Sequence, residues 1–333
     1  MTSSDPLLRV AGLKTWFTHR RLLSRHARTI RAVDGVDLAV RRGEIFGIVG
    51  ESGSGKSTLG RTILGIQRET AGEIWLRGRL VSGLDPSSAR AARRTIQYVH
   101  QDPGAALDPW WSIGRLLFEG MRAHGMTSTS ERQRRVRDIL NAVGMPDDSL
   151  SRYPHELSGG QLRRIGLARI LVLSPEIVIL DEPTSGLDLS IQAMVLRLLL
   201  DIRRLLDLTF ILISHDLSLV ERICDRVANM YLGKIVETGP AAEVFSRPRH
   251  PYTRVLIDAA PSLEPGQLEH GSALRGDPPN PSAVPQGCSF HPRCPEARER
   301  CASELPRLEE SDAGHTVACL RWHELAAAAT QTS

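Results

Sequence analysis

Residues 50–58 read GESGSGKST. The spacing fits G-x-x-x-x-G-K-[ST], with Gly50, Gly55, Lys56 and Ser57 at the fixed places. Glycines let the backbone wrap around phosphate oxygens and turn its N–H groups inward. A helix that begins at such a loop points its positive end at the same anion. Lys56 would reach the β- and γ-phosphates, and Ser57 would offer a hydroxyl to Mg²⁺. Glu51, Ser52, Gly53, Ser54 and Thr58 complete the stretch expected to line a nucleotide. A plain glycine-rich turn is the competing reading. It fits poorly, because the apolar strand EIFGIV (44–49) precedes the loop and STLGRTILGI follows with helical spacing. Nucleotide binding follows; what the nucleotide drives does not.

A second constellation lies in IVILDEPTSGLD, residues 177–188. Four apolar residues make a buried strand, and two acids stand at its C-terminal end, where parallel sheets present ligands. Asp181 is placed to hold the water shell of Mg²⁺. Glu182 points elsewhere and could polarise an attacking water. A chance surface Asp–Glu pair is a weak alternative after four core residues. LSGGQ (157–161) runs directly into the amphipathic stretch QLRRIGLARILVL, so Ser158 and the two glycines form another helix start with exposed N–H groups.

The elements that must position these residues are legible in outline. EIVIL (176–180) and TFILI (209–213) are buried-type strands, with the helix VLRLLLDIRRLL (195–206) between them. Strands alternating with helices imply a parallel sheet with helical cover. AGEIWLRG (71–78) is a strand between turns, and YLGKIVETG (231–239) reads as a hairpin. Residues 7–49 read as strands broken by the basic run THRRLLSRHARTIR, taken as a solvated loop rather than a nucleic-acid contact. From about 103 to 156 the pattern is helical and variable, and after about 245 prolines accumulate. The 333 residues suggest one large domain, or one domain plus an appendage. No leader pattern and no apolar run near ~18 residues is present, so a membrane role would come through a partner. The formal charge of +4 is too modest to argue for nucleic acid. Only Lys14, Lys56 and Lys234 are lysines in this arginine-rich chain. A lysine at 56 therefore marks a place for a compact point charge.

Phosphate loop, LSGGQ, ILDEPTSGLD and SHD (214–216) occur together in one order over residues 7–240. In this the chain resembles the ATP-binding cassette (ABC) ATPases. The resemblance implies an α/β phosphate-loop fold: a parallel-sheet core, an antiparallel β-subdomain and a helical subdomain. It implies that two such domains pack head to tail, with ATP between the phosphate loop of one and LSGGQ of the other. Ser158 and Gly160 would then contact the γ-phosphate across the interface, with Gln161 nearby, and Asp188 would link the two sites. Gln101, in HQDP, resembles the glutamine that touches Mg²⁺ and the attacking water. His215 resembles the switch histidine that contacts the γ-phosphate. Phe17, or else Trp16, would stack on adenine. The implied organisation is a cassette over 1–245, with its helical subdomain at about 103–156, and a C-terminal extension over 246–333.

The extension carries Cys288, Cys294, Cys301 and Cys319, spaced C-x5-C-x6-C-x17-C, whereas Cys224 in RICDRV reads as a buried structural thiol. A disulfide is disfavoured in a reducing compartment. Zinc is plausible, although these spacings are looser than in ordinary zinc modules. A four-cysteine iron–sulfur cluster accommodates them. RHPYT (249–253), VLIDAAP and GCSFHPRCPEARERC resemble the dipeptide, oligopeptide and nickel importer branch, whose tails carry this cysteine set. That resemblance implies a 4Fe–4S cluster, with Zn²⁺, or thiols left unligated or oxidised, as the alternatives. It also implies a second ATPase subunit as partner, two transmembrane permease subunits, an extracytoplasmic solute-binding protein, and a place on the cytoplasmic face of the cell membrane. LSGGQLRRIG is more similar to the second ATPase of heteromeric peptide systems than to the first. Peptide import is the leading expectation. Nickel or another small solute, or a soluble ATPase accessory to a phosphonate-lyase-type complex, are the alternatives.

Overall fold

The computed structural model describes residues 5–19, 28–84, 88, 94–100, 104–259, 276–312 and 314–331. The chain divides into two compact units, residues 1–83 with 212–333, and residues 84–211.

The first unit contains two sheets. One is antiparallel and four-stranded, from β1 (Leu8–His19), β2 (Arg28–Val40), β4 (Ala71–Leu76) and β5 (Arg79–Leu80), in the order β2-β1-β4-β5. The other is built on β3 (Ile45–Val49), all of whose residues are buried. Burial on both faces is what a continuous apolar run without alternation predicts. β9 (Arg226–Tyr231) lies parallel to β3, and β10 (Lys234–Pro240) returns antiparallel to β9, the hairpin expected from YLGKIVETG. The helices of this unit are α1 (Lys56–Ile63), α6 (Leu217–Ile223), α7 (Ala241–Ser246), α8 (Pro251–Asp258), α9 (Glu299–Ser303) and α10 (Trp322–Gln331).

The C-terminal extension is stitched into this sheet rather than appended to it. β12 (His315–Val317) pairs with β10 through Glu237↔Val317 and Thr238↔Thr316, and β11 (Glu309–Asp312) pairs with β12. Phe290 packs edge-on against Tyr231 and Tyr252, with ring centroids 5.3 and 5.4 Å away. Such contacts contribute about 0.5–1.5 kcal/mol each beyond the area they bury. The tail thus borrows its core from β9 and α8, as its low apolar content requires.

RHPYT is held by residues of β9 and β10. The carboxylate of Glu237, fully buried on β10, accepts from the backbone N–H groups of Arg249 (2.6 Å) and His250 (3.0 Å) and lies 2.8 Å from Nε2 of His315. His250 caps α8, its Nδ1 accepting from the N–H of Tyr252 at 3.0 Å, and Pro251 follows at the first helical position, where a missing N–H costs nothing. Thr253 accepts from Asn229 at 2.7 Å.

The second unit holds β6 (Ile96–Val99) parallel to β7 (Ile177–Asp181), with the first residues of β8 (Thr209–Ile213) beside β7. Helices α2 (Ile113–Ala123), α3 (Thr129–Ala142) and α4 (Gly159–Leu171) pack on one another. Ser112 and Ser128 cap the first two, each accepting an N–H bond from three residues on. These are the helices expected between about 103 and 156. α5 (Leu189–Leu206) links β7 to β8. Among the described residues no helix is long and apolar enough to cross a membrane.

His250 carries a pH dependence. Burial, opposed by the nearby Glu237 carboxylate, pushes its imidazole down to about 4. The unfolded chain takes up that proton near 6.5, so acid favours unfolding between pH 6.5 and 4. Stability is expected to fall by about 2 kcal/mol from pH 7 to pH 5 through this group. Urea denaturation at the two pH values measures it, and His250→Asn, which keeps a capping acceptor, should flatten the dependence.

Candidate nucleotide-binding site

The phosphate loop connects β3 to α1, and its path is set by glycine. Gly50, Gly53 and Gly55 have φ of 145°, 78° and 107°. A Cβ on Gly50 would stand 2.1 Å from the carbonyl oxygen of Met230, and one on Gly55 2.0 Å from that of Ala32. No side chain fits at either place. The loop is pinned from outside as well: the N–H of Gly233 donates to the carbonyl of Ser54 at 2.8 Å, and the carbonyl of Gly233 accepts from Asp34 N–H at 2.8 Å. The Lys56 ammonium is buried and curls under the loop, donating to the carbonyls of Gly50 (2.7 Å) and Glu51 (2.8 Å). A compact cation with three donors can bridge those carbonyls and still face an anion above them. Ser57 and Thr58 lie in the first turn of α1.

Two residues of the tail stretches RHPYT and GCSFHPRCPEARERC, neither expected at the nucleotide site, hold Glu51. Its N–H donates to the Tyr252 hydroxyl at 2.9 Å. Its carboxylate receives Nη1 of Arg293 at 3.1 and 3.0 Å. Burial raises the phenol of Tyr252 well above its ordinary value, so it stays a neutral hydroxyl.

His215, also on the first unit, is exposed between the buried Ser214 and Asp216, which caps α6. Of the two aromatic candidates for adenine, Trp16 is already engaged. Its Nε1 donates to Asp34 at 3.2 Å, and Arg31 and Lys14 lie 4.9 and 5.5 Å from the ring centroid. Phe17, one residue on, faces the other side of β1. Gln101 lies outside the described residues.

On the second unit, Asp181 ends β7 and is buried, accepting the Tyr98 hydroxyl at 2.5 Å. A hydroxyl donated to a carboxylate strengthens and orients it. Glu182 follows with φ of 55°, a left-handed conformation unusual for a residue with a side chain. That turn breaks the strand and sends the second acid away from the first. Strain of this kind collects at functional sites. Ser158 and Gln161 form a reciprocal capping box at the start of α4: Oγ of Ser158 accepts from Gln161 N–H (3.3 Å), and Gln161 Oε1 accepts from Ser158 N–H (3.0 Å). Ser158, Gly159 and Gly160 are exposed, and no atom lies within 4 Å of a Cβ built on either glycine. The result is a flat, open helix start that an anion could approach closely. Asp188 caps α5, accepting from Ile191 N–H at 3.0 Å.

Cys288, Cys294, Cys301 and Cys319 line one small cavity in the tail, with Phe290, Leu320 and Leu325 as apolar walls. All four are unpaired thiols. Burial pushes Cys294 up to about 12 and Cys319 up to about 11, with the Cys288 and Cys301 sulfurs adding to the rise at both. Backbone N–H groups of Phe290, Glu296 and Arg321 work against this at Cys288, Cys294 and Cys319. Four soft donors, three of them with N–H groups directed at sulfur, suit a thiolate-bound centre that supplies compensating positive charge. Among the described residues no three His, Cys, Asp or Glu side chains converge on a single ion position. A lone zinc needs its sulfurs about 2.3 Å from one point. Cys224, by contrast, packs against Gly47 as a core thiol.

A strand, a glycine loop with its lysine, a helix, and a strand ending in Asp–Glu define a phosphate-loop nucleoside triphosphatase. Comparison with known proteins narrows this. Residues 33–185 match the ABC transporter family, and residues 236–301 match the oligopeptide/dipeptide transporter C-terminal region. A putative peptide import ATP-binding protein of Brucella ovis is 46% identical over 319 residues, 96% of this chain and 99% of that one. The dipeptide transport ATP-binding protein DppF of Haemophilus influenzae is 41% identical, over 95% of this chain and 97% of its own length. Among solved structures, cbiO1 of Clostridium perfringens, part of an ABC transporter complex, is 30% identical with a TM-score of 0.62, covering 73% of this chain and 92% of that one. The chain belongs to the ABC transporter ATP-binding proteins, and it is an ABC-type ATPase.

Gly55→Ala is expected to abolish ATP binding and to destabilise the fold. The left-handed φ alone costs ~1–2 kcal/mol, before the contact with Ala32 is relieved. Nucleotide titration and thermal unfolding of the variant check both.

Proposed function

We propose that this chain hydrolyses ATP to drive import of dipeptides or oligopeptides across the cytoplasmic membrane. One observation carries the reading: similarity to peptide transport ATP-binding proteins runs over 95–96% of the chain, tail included, and is not confined to the cassette. The cassette is residues 1–245, with the helical segment at about 103–156, and residues 246–333 form the importer-type extension.

The phosphate loop, Gly50 to Thr58, holds the α-, β- and γ-phosphates, with Lys56 neutralising the last two. Ser57, Asp181 and Gln101 hold Mg²⁺ and its waters. Glu182 polarises the water that attacks the γ-phosphorus; the bond to the β-phosphate oxygen breaks, and ADP departs with that electron pair. His215 and Gln101 steady the γ-phosphoryl and the water, and Phe17 stacks on adenine. Ser158, Gly160 and Gln161 present a helix start to the ATP of a second ATPase subunit. Its exposure and its lack of obstructing atoms support that role. The subunit sits at the inner face of the membrane on two permease subunits, which receive cargo from an extracytoplasmic solute-binding protein.

We assign the four tail cysteines to a 4Fe–4S cluster rather than to zinc. The four thiols line one cavity, and four cysteines are the ligand set such a cluster takes. Such a cluster would tie the tail's segments together.

Glu182→Gln should keep ATP binding and lower turnover at least ~100-fold, as expected when the group that orients the nucleophile is lost. Single-turnover hydrolysis beside nucleotide titration tests this. Protein isolated anaerobically with its membrane partners should carry about four irons per chain and co-purify with permeases. Zinc in place of iron would overturn the cluster. Soluble lyase subunits, or a receptor that takes up nickel, would overturn the peptide reading.

A further inference from the structure

We propose that Arg293 is a positioning residue for the phosphate loop, so that the cysteine-bearing loop of the tail sets the affinity of this chain for ATP. The inference rests on reading residues 50–58 as the ATP phosphate loop. Arg293 is 7% exposed, and a guanidinium so buried requires an anion. Its Nη1 finds both carboxylate oxygens of Glu51, 3.1 and 3.0 Å away, and the Tyr231 hydroxyl at 3.4 Å. Glu51 is the second residue of the loop, between two carbonyls that receive Lys56. The Glu51 N–H is bound in turn by Tyr252. Backbone and side chain of Glu51 are therefore both held by residues beyond 250, and the loop's first turn cannot rotate without breaking one of these bonds.

The arm that carries Arg293 is itself rigid. Arg293 ends a short 3-10 turn, His291–Arg293, flanked by Cys288 and Cys294. Its N–H donates to the carbonyl of Phe290 at 3.0 Å, and Phe290 is anchored among Tyr231, Tyr252 and Leu232. The N–H of Cys288 donates to the carbonyl of Cys301 at 2.9 Å, closing the base of this loop. Electrostatics give the pair a second role. A carboxylate inside a phosphate loop repels a triphosphate, and a buried guanidinium within 3.1 Å of it cancels that charge.

The test measures MgATP binding and steady-state hydrolysis by the full chain. Arg293→Met should raise Kd and KM for MgATP roughly tenfold or more, the size expected for a lost hydrogen bond to a charged group. Turnover at saturating MgATP should change less than about twofold, because no reacting atom is touched. Arg293→Lys should restore most of the affinity, since one nitrogen makes both contacts in the native protein. A role confined to stability would lower the melting temperature of Arg293→Met and leave KM at the native value, and that result overturns the proposal. Should Arg293→Met fail to fold, the double variant Glu51→Gln with Arg293→Met, which removes the charge pair together and leaves the net charge unchanged, decides: native affinity in that variant overturns the proposal equally. Lys56→Ala separates the premise from the inference. If it binds MgATP normally, residues 50–58 are not the phosphate site. If it fails to bind while Arg293→Met binds normally, only the positioning role falls.

Discussion

Backbone amides can cradle a polyphosphate only if they turn to one side, and that demands dihedral angles that side chains forbid. Gly50, Gly53 and Gly55 supply those angles, and the carbonyls of Met230 and Ala32 press so closely on two of them that no other residue fits. Much of the first unit serves this constraint. β3 delivers the chain to the loop, α1 receives it, the turn at Gly233 clasps it at Ser54, and Tyr252 fixes the Glu51 amide. An anion site made of backbone is insensitive to side-chain substitution but unforgiving of displacement, which accounts for anchors drawn from five separate stretches of sequence.

The second unit solves a different problem with different means. It carries two carboxylates at a strand end and one exposed helix start, and neither needs an unusual fold. The acids stand at the end of a fully buried strand, where Tyr98 orients one and a left-handed residue turns the other away. The helix start is kept open by satisfying its own capping groups: Ser158 and Gln161 bind each other's backbone, so the exposed surface is left to the two glycines. Gln161 is thereby committed to holding the turn, a structural duty beside the contact expected of it.

Sequence reading reached the residues whose roles depend on spacing. A glycine loop between a strand and a helix encodes its own geometry, and an acid pair after four apolar residues can only emerge at a strand end. The hairpin at 231–239, the strands at 177–181 and 209–213, and the helices around 113–142 were legible for the same local reason. The partners that hold these groups were not legible. Arg293 lies 242 positions from Glu51, and Tyr98 lies 83 from Asp181; no periodicity links residues so far apart. RHPYT was visible as a family mark, yet its physics (a carboxylate of β10 receiving two amides, a histidine cap, a hydroxyl reaching the loop) exists only once β10 and α8 are packed together. The tail's alliance with the sheet was hidden likewise. Short, polar strands such as EESD carry no pattern, and their pairing is decided by the open edge they meet.

That edge has a temporal side. β10 is synthesised some 75 residues before β12, the strand that covers it. At the usual pace of translation, ~5–20 residues per second, several seconds pass in which β10 offers unpaired amides and carbonyls to any neighbouring strand. Arg293 likewise emerges long after Glu51, the loop residue it binds. The nascent subunit is therefore born with a sticky border and a slack phosphate grip, and it acquires its finished form only when its last strands arrive.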